Sequence, residues 1–170
     1  MNSLDTNRIN VNSPYKVWAE GRVIHFETEN GIRYAVDFDY EDNPLYVAYW
    51  FNLTNESHKP SPNDRKIPQT IICIIEEFFR KNPDILLYMC STDNNQQAQR
   101  ARLFLHWFNG YEQQQKYVIR SAEIPNVTPE GKPTQDYISI IVPRTHPQLQ
   151  TIIDLFNEEV AMFCANKPQG

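Results

Sequence analysis

Two runs of alternating apolar and polar residues, 23–28 and 32–39, flank the dipeptide Asn30-Gly31, and no other feature constrains the chain as strongly. Period-two segments joined by a pair that tolerates positive φ at both positions predict a β-hairpin closed by a type I′ turn. On the second strand Ile32, Tyr34, Val36 and Phe38 share one face, while Arg33, Ala35, Asp37 and Asp39 share the other. A sheet patterned this way packs on one side and stays partly wet on the other. Leu45, Val47, Tyr49 and Phe51 continue the alternation after a turn at Asp42-Asn43-Pro44. An antiparallel meander is therefore expected from Tyr15 onward, behind a polar, loosely ordered lead-in over residues 1–14.

The period then changes. A Pro-, Ser- and Asn-containing loop over 54–66 leads to Pro68, which suits the first position of a helix because its missing N–H costs nothing there. Ile71, Ile72, Ile74, Ile75, Phe78 and Phe79 cover more than half of that helix's circumference, and Asn82-Pro83 ends it. Residues 85–90 are almost wholly apolar, as in an interior strand. Ser91-Thr92-Asp93 offers caps to a second helix that stops at Asn109-Gly110, with Ala98, Ala101, Leu105 and Phe108 as its stripe. Strands over 117–123 and 137–142 follow, separated by a Pro-rich loop over 125–135. Pro147 opens a last helix carrying Leu149, Ile152, Ile153, Phe156, Val160 and Phe163.

The expected class is α+β: an antiparallel β-meander followed by α-β-α-β-β-α, with one mainly antiparallel sheet packed by helices. A chain of 170 residues, 41% of them apolar, fits one domain over residues 15–167. Ile71, Ile75, Phe78, Leu86, Tyr88, Phe104, Phe108, Ile153 and Phe156 are its predicted core.

Charge and cysteine usage narrow the partners. A net charge of −5 provides no basic field for nucleic acid. The longest aliphatic stretch, residues 71–75, is far below the ~20 residues of a membrane span. The N-terminus lacks an apolar signal region, and Cys73, Cys90 and Cys164 read as three reduced core thiols, so a cytoplasmic protein is expected.

Several constellations bear on chemistry. Asp37 and Asp39 point the same way from one strand and could share a hard cation, with Glu41 and Asp42 nearby. No histidine or further acid is placed to complete the shell, so a solvated sheet face is expected and no metal. Pro83-Asp84 with Glu130-Gly131-Lys132 fails as a nuclease core, because the latter triplet sits in the Pro-rich segment. Arg100 and His106 lie roughly 120° apart around a helix, too far to act as a pair. No G-x-S-x-G elbow or P-loop occurs.

The two helix starts are the best candidate site. Their free N–H groups bind anions readily. If residues 63–69 and 91–95 face one side, Arg65, Lys66, Thr92, Asp93 and Arg100 line a pocket for an anion or other ligand. In the competing reading Asp64 and Asp93 pair with these cations and cap the helices. A surplus of aromatics on the meander (Tyr34, Tyr40, Tyr46, Tyr49, Trp50) adds a sheet face suited to a protein partner or to homo-oligomer formation.

The order of elements over residues 23–142 is similar to that of the GCN5-related acyl-CoA N-acyltransferases. The resemblance places that family's pyrophosphate turn at Arg65-Lys66-Ile67-Pro68-Gln69-Thr70, with Pro68 where a glycine is usual. Asn95, Ala98, Leu103, Phe104, Gly110 and Tyr111 resemble its later helix, with Phe104 where a proton-donating tyrosine stands. It implies an acyl-CoA cofactor and N-acyl transfer. The chain also resembles a family of small uncharacterised bacterial proteins. Gly31-Ile32-Arg33-Tyr34-Ala35-Val36-Asp37-Phe38, Asp64-Arg65-Lys66-Ile67, Phe78-Phe79-Arg80-Lys81-Asn82-Pro83 and Trp107-Phe108 carry that likeness. It brings no assigned reaction. The two functional expectations are a non-catalytic binding or regulatory module without cofactor and, as the alternative, an acyl-CoA-dependent N-acyltransferase.

Overall fold

The computed structural model describes residues 1–90 and 106–166. Its contacts group into two compact units where one domain is expected: Met1–Asn43 with Val47–Asp84, and Pro44–Tyr46 with Ile85–Gly170. The class is α+β, with mainly antiparallel strand pairing.

The first unit holds α1 (Thr6–Asn12), β1 (Val17–Glu20), β2 (Val23–Glu27), β3 (Arg33–Glu41), β4 (Ala48–Asn55) and α2 (Lys66–Lys81). Strands β1 to β4 pair in sequence as the expected meander. Val17, Ile24, Phe26, Val36 and Phe51 are buried on the face toward α2, which contributes Ile67, Ile71, Ile74, Ile75 and Phe78. Phe78 is the centre of this core: its ring stacks on Phe38 at 4.7 Å and meets Tyr49 edge-on at 5.7 Å. Pro68 occupies the third helical position, not the first, still within the turn whose N–H groups have no helical acceptor.

Three expectations are corrected in this unit. Residues 1–14 are not a loose lead-in, because α1 is capped by Asp5, whose side chain accepts from Asn7 N at 3.0 Å, and buries Ile9. Asn30-Gly31 does not form a type I′ turn. Only Gly31 has positive φ (73°), and Thr28 N–H bonds Ile32 O at 2.9 Å, as in a type I turn closed by a glycine bulge. Val47 is exposed, because β4 begins only at Ala48, and Leu45, expected on the same strand, falls in the second unit and is exposed too.

The second unit holds β5 (Ile85–Cys90), α3 (Tyr111–Lys116), β6 (Tyr117–Val127), β7 (Pro133–Pro143) and α4 (Leu149–Ala165). Strand β7 lies between β5 and β6 and is antiparallel to both. Ile85, Leu86 and Leu87 are buried, as an interior strand requires, but Tyr88 is only half-buried and Met89 exposed, so the interior character ends midway.

The Pro-rich segment 125–135 is not a loop. It is the far half of a long hairpin, in which Pro125 pairs with Gln135 on the outer strand β6, where a missing N–H is tolerated. Its turn repeats the first hairpin's: Thr128 N–H bonds Lys132 O at 2.8 Å and Gly131 has φ 80°. Helix α4 buries Ile152, Ile153 and Phe156, whereas Phe163, expected in the same stripe, is exposed. The short helix α3, with Gly110 at its N-cap, is an addition. Phe108 is buried as predicted; Phe104 and the cap Ser91-Thr92-Asp93 lie outside the described residues.

Candidate functional site

Of the five residues expected to line a ligand site, Arg65 and Lys66 are described, while Thr92, Asp93 and Arg100 lie outside the described residues. Arg65 is exposed and precedes α2 without a side-chain capping bond. Lys66 is engaged. Its ammonium pairs with Glu29 and lies 5.7 Å from the centre of the Tyr15 ring. The bond to Glu29 raises its pKa. Asp64 accepts from Lys66 N–H at 2.9 Å and from the Tyr15 hydroxyl, occupying a donor that an anion would use. Burial first, and then the Asp64 hydrogen bond, push the Tyr15 phenol up. Tyr15 N–H also reaches Thr70 Oγ1, so this group ties the start of α2 to the chain leading into β1.

A second constellation lies along α2, where sequence reasoning did not look. Glu77 is buried, yet its carboxylate is saturated: Arg80 donates to both oxygens at 2.8 Å, and Asp5 N–H donates at 3.1 Å. Arg8 adds a weaker ion pair at 3.8 Å. Burial raises the pKa of Glu77, but the Arg80 bonds, the Asp5 N–H and both guanidinium charges outweigh it and hold the carboxyl below its usual range. Beside it is a cleft of about 140 Å³ lined by Arg8, Asn12, Cys73, Glu76, Glu77 and Arg80. Two cations face two carboxylates there, and burial pushes the Cys73 thiol up, away from its nucleophilic form. The cluster fastens α1 to α2. The signal for it was an acid within the apolar stripe of α2, followed three residues on by an arginine.

The third constellation covers the sheet face opposite α2. Trp18, Glu20, His25, Arg33, Asp37, Asp39, Glu41, Trp50 and Asn52 stand on that face by strand register. At one end His25 is buried beneath Trp18, their rings stacked 5.7 Å apart, and its nitrogens face Glu56 at 3.2 Å and Glu20 at 3.4 Å. Arg33 spans both carboxylates, donating to Glu20 at 2.9 Å and forming an ion pair with Glu56 at 2.8 Å. Its guanidinium lies 5.2 Å from the centre of the Trp18 ring. The Trp18 N–H, followed by the Arg33 and His25 charges, keeps the Glu20 carboxyl below its ordinary range.

At the other end Asp39 pairs across the sheet with Trp50, whose indole N–H donates to Glu41. The Asn52 amide bridges Asp37 at 2.7 Å and Asp39 at 2.8 Å. No ion pair to Asp37, Asp39 or Glu41 occurs among the described residues. Asp39 is exposed, and Asp37, Glu41 and Trp50 are half-exposed. Of the aromatics expected to form an interaction face, Tyr34, Tyr46 and Tyr49 are buried and Tyr40, although exposed, stands on the α2 side by register, which leaves Trp50. Among the described residues no three His, Cys, Asp or Glu side chains are grouped to hold a metal. No helix there is long and apolar enough to cross a membrane.

Residues 63–158, more than half of the chain, match DUF6169, a family of unknown function, and the chain belongs to that family. The matched segment begins just before α2 and ends within α4, so it leaves out the meander. No curated protein matches the chain significantly.

Proposed function

We propose that this member of DUF6169 is a non-catalytic binding module that presents the polar face of its meander to a protein partner. The observation that carries this reading is the Trp50 end of that face. There an indole and three carboxylates stand on paired strands, accessible to solvent and without a cation among the described residues to neutralise them. Exposed tryptophan anchors partners well, since it buries a large rigid surface at little entropic cost. Unpaired like charges on neighbouring positions repel one another, a cost that a complementary partner removes. The acyl-CoA transferase reading draws less support, because Lys66 is bound to Glu29 and its N–H to Asp64 at the place where a pyrophosphate would sit. A cytoplasmic setting, suggested by the unpaired Cys73 and Cys164, belongs to the same reading.

Site-specific photo-crosslinking in the native host tests it. A benzophenone side chain at exposed Thr54 on this face should trap a defined protein partner, and one at exposed Glu158 on α4 should not. Equal labelling at both positions, or none at Thr54, refutes the binding face.

A further inference from the structure

We propose that the Trp50 end of the meander binds an arginine side chain from a basic segment of a partner protein. This inference rests on the binding-face reading above and names the chemistry that the face selects.

The chain carries its own template for the interaction. At Trp18 the indole N–H donates to a glutamate, Glu20, at 3.2 Å. The same glutamate takes a guanidinium N–H from Arg33 at 2.9 Å, and that guanidinium lies against the indole ring. A second carboxylate, Glu56, flanks it at 2.8 Å. At Trp50 the parts recur without the cation. The indole N–H donates to Glu41, and Asp39 stands directly across the sheet from the ring. Asn52 holds Asp37 and Asp39 side by side through one amide nitrogen, so both carboxylates keep acceptor capacity. Asp37 and Asp39 are two positions apart on one strand, about 7 Å, close enough for unscreened repulsion.

A guanidinium satisfies all of these groups at once. Its plane stacks on the indole while its edge donates to carboxylates on either side. A lysine ammonium is a compact, strongly hydrated charge without the flat fork, so it can meet the acids but not the ring and the acids together. The face therefore selects arginine over lysine and a basic partner segment over a neutral one.

The test uses the full chain and fluorescein-labelled hexa-arginine, hexa-lysine and hexa-glutamate peptides. Binding is read by anisotropy at about 150 mM salt, where general attraction to an acidic protein is screened beyond about 8 Å. Hexa-arginine should bind at least about threefold tighter than hexa-lysine, and hexa-glutamate should not bind. Asp39→Asn with Glu41→Gln should weaken hexa-arginine about tenfold. Asp154→Asn with Glu158→Gln removes the same number of charges from the exposed side of α4 and should change binding less than about twofold. If the double variant at the face loses its folded circular dichroism signal, Asp39→Asn alone should still weaken binding severalfold.

Equal affinity for arginine and lysine peptides, or equal weakening by the two charge variants, overturns the proposal. So does a dimer that separates on Asp39→Asn with Glu41→Gln, because the occupant would then be a second copy of the chain. Crosslinks from residue 54 combined with no hexa-arginine binding would retain the binding face and refute the arginine selection.

Discussion

Glu77→Gln is the most informative perturbation of this fold. Glutamine keeps the volume of the side chain and one acceptor for Asp5 N–H, but loses the charge that holds the Arg80 fork. The guanidinium is left partly hydrated, since the Arg80 side chain is 39% exposed, so the variant escapes the full 3–5 kcal/mol that follows breaking a wholly buried pair. One Arg80 bond then weakens to a neutral amide oxygen and the other is lost against the amide NH2, a loss of about 1–2 kcal/mol. Glu77→Ala also strands the Asp5 N–H and opens a void, which raises the loss to about 2–4 kcal/mol.

The pH dependence of Glu77 has a fixed sign. Its carboxyl titrates lower in the folded than in the unfolded state, so its contribution is present above the unfolded value of about 4.5 and fades as pH falls through the lower folded value. Urea titrations of the wild type and Glu77→Gln at a series of pH values between about 7 and 3 measure this. The difference in stability should be largest near neutrality and shrink below about pH 4.5. A difference that stays constant or grows with acidification would refute the assignment of Glu77 as a charged tether between α1 and α2.

Other perturbations have equally definite outcomes. Phe78→Ala should destabilise by about 3–5 kcal/mol in urea, since the ring is wholly buried against Phe38 and Tyr49. Gly131→Ala places a Cβ at φ 80°, where it meets no neighbouring atom within 4 Å; the cost, about 1–2 kcal/mol, should therefore be backbone strain. The same change at Gly31, in the matching turn, should cost a similar amount, and a loss confined to one of the two would contradict the equivalence of the hairpins. Ultraviolet titration should find Tyr15 ionising above its ordinary pKa of 10.0, and Asp64→Asn should bring it down by removing the adjacent acceptor and charge. Because that pKa is raised by folding, stability should be intact below pH 10 and fall as pH rises beyond it.

Period and chemistry made much of this protein legible as sequence. The alternation around Asn30-Gly31 predicted β2 and β3 with the correct inward set, and the helical spacing of Ile71, Ile74, Ile75 and Phe78 predicted α2 with the correct buried face. These signals survive because burial of one face depends on local spacing, which the chain carries wherever it goes. Asn82-Pro83 was a sufficient stop for the same reason, as Asn82 N–H and its side chain both close on Phe78 O.

What the sequence left open depended on partners far along the chain. Residues 1–14 looked unstructured because seven residues of α1 cannot hold a helix alone; Glu77, 72 positions beyond Asp5, fastens it in place. Pro125 read as loop until β7 supplied a register in which β6 is an outer strand and the missing N–H is harmless. Sequence alone offers the Lys66 cation either to a ligand or to Asp64, whereas its ammonium pairs with Glu29, 37 residues away. The acids of the meander looked alike in sequence. Only the cross-strand register placed Arg33 beside Glu20 and Glu56 and set Trp50, without a described cation, beside Asp39 and Glu41. Spacing along a chain fixes which side of an element is apolar, but charge pairing is decided by distances of a few ångströms between segments, and those exist only once the chain has folded.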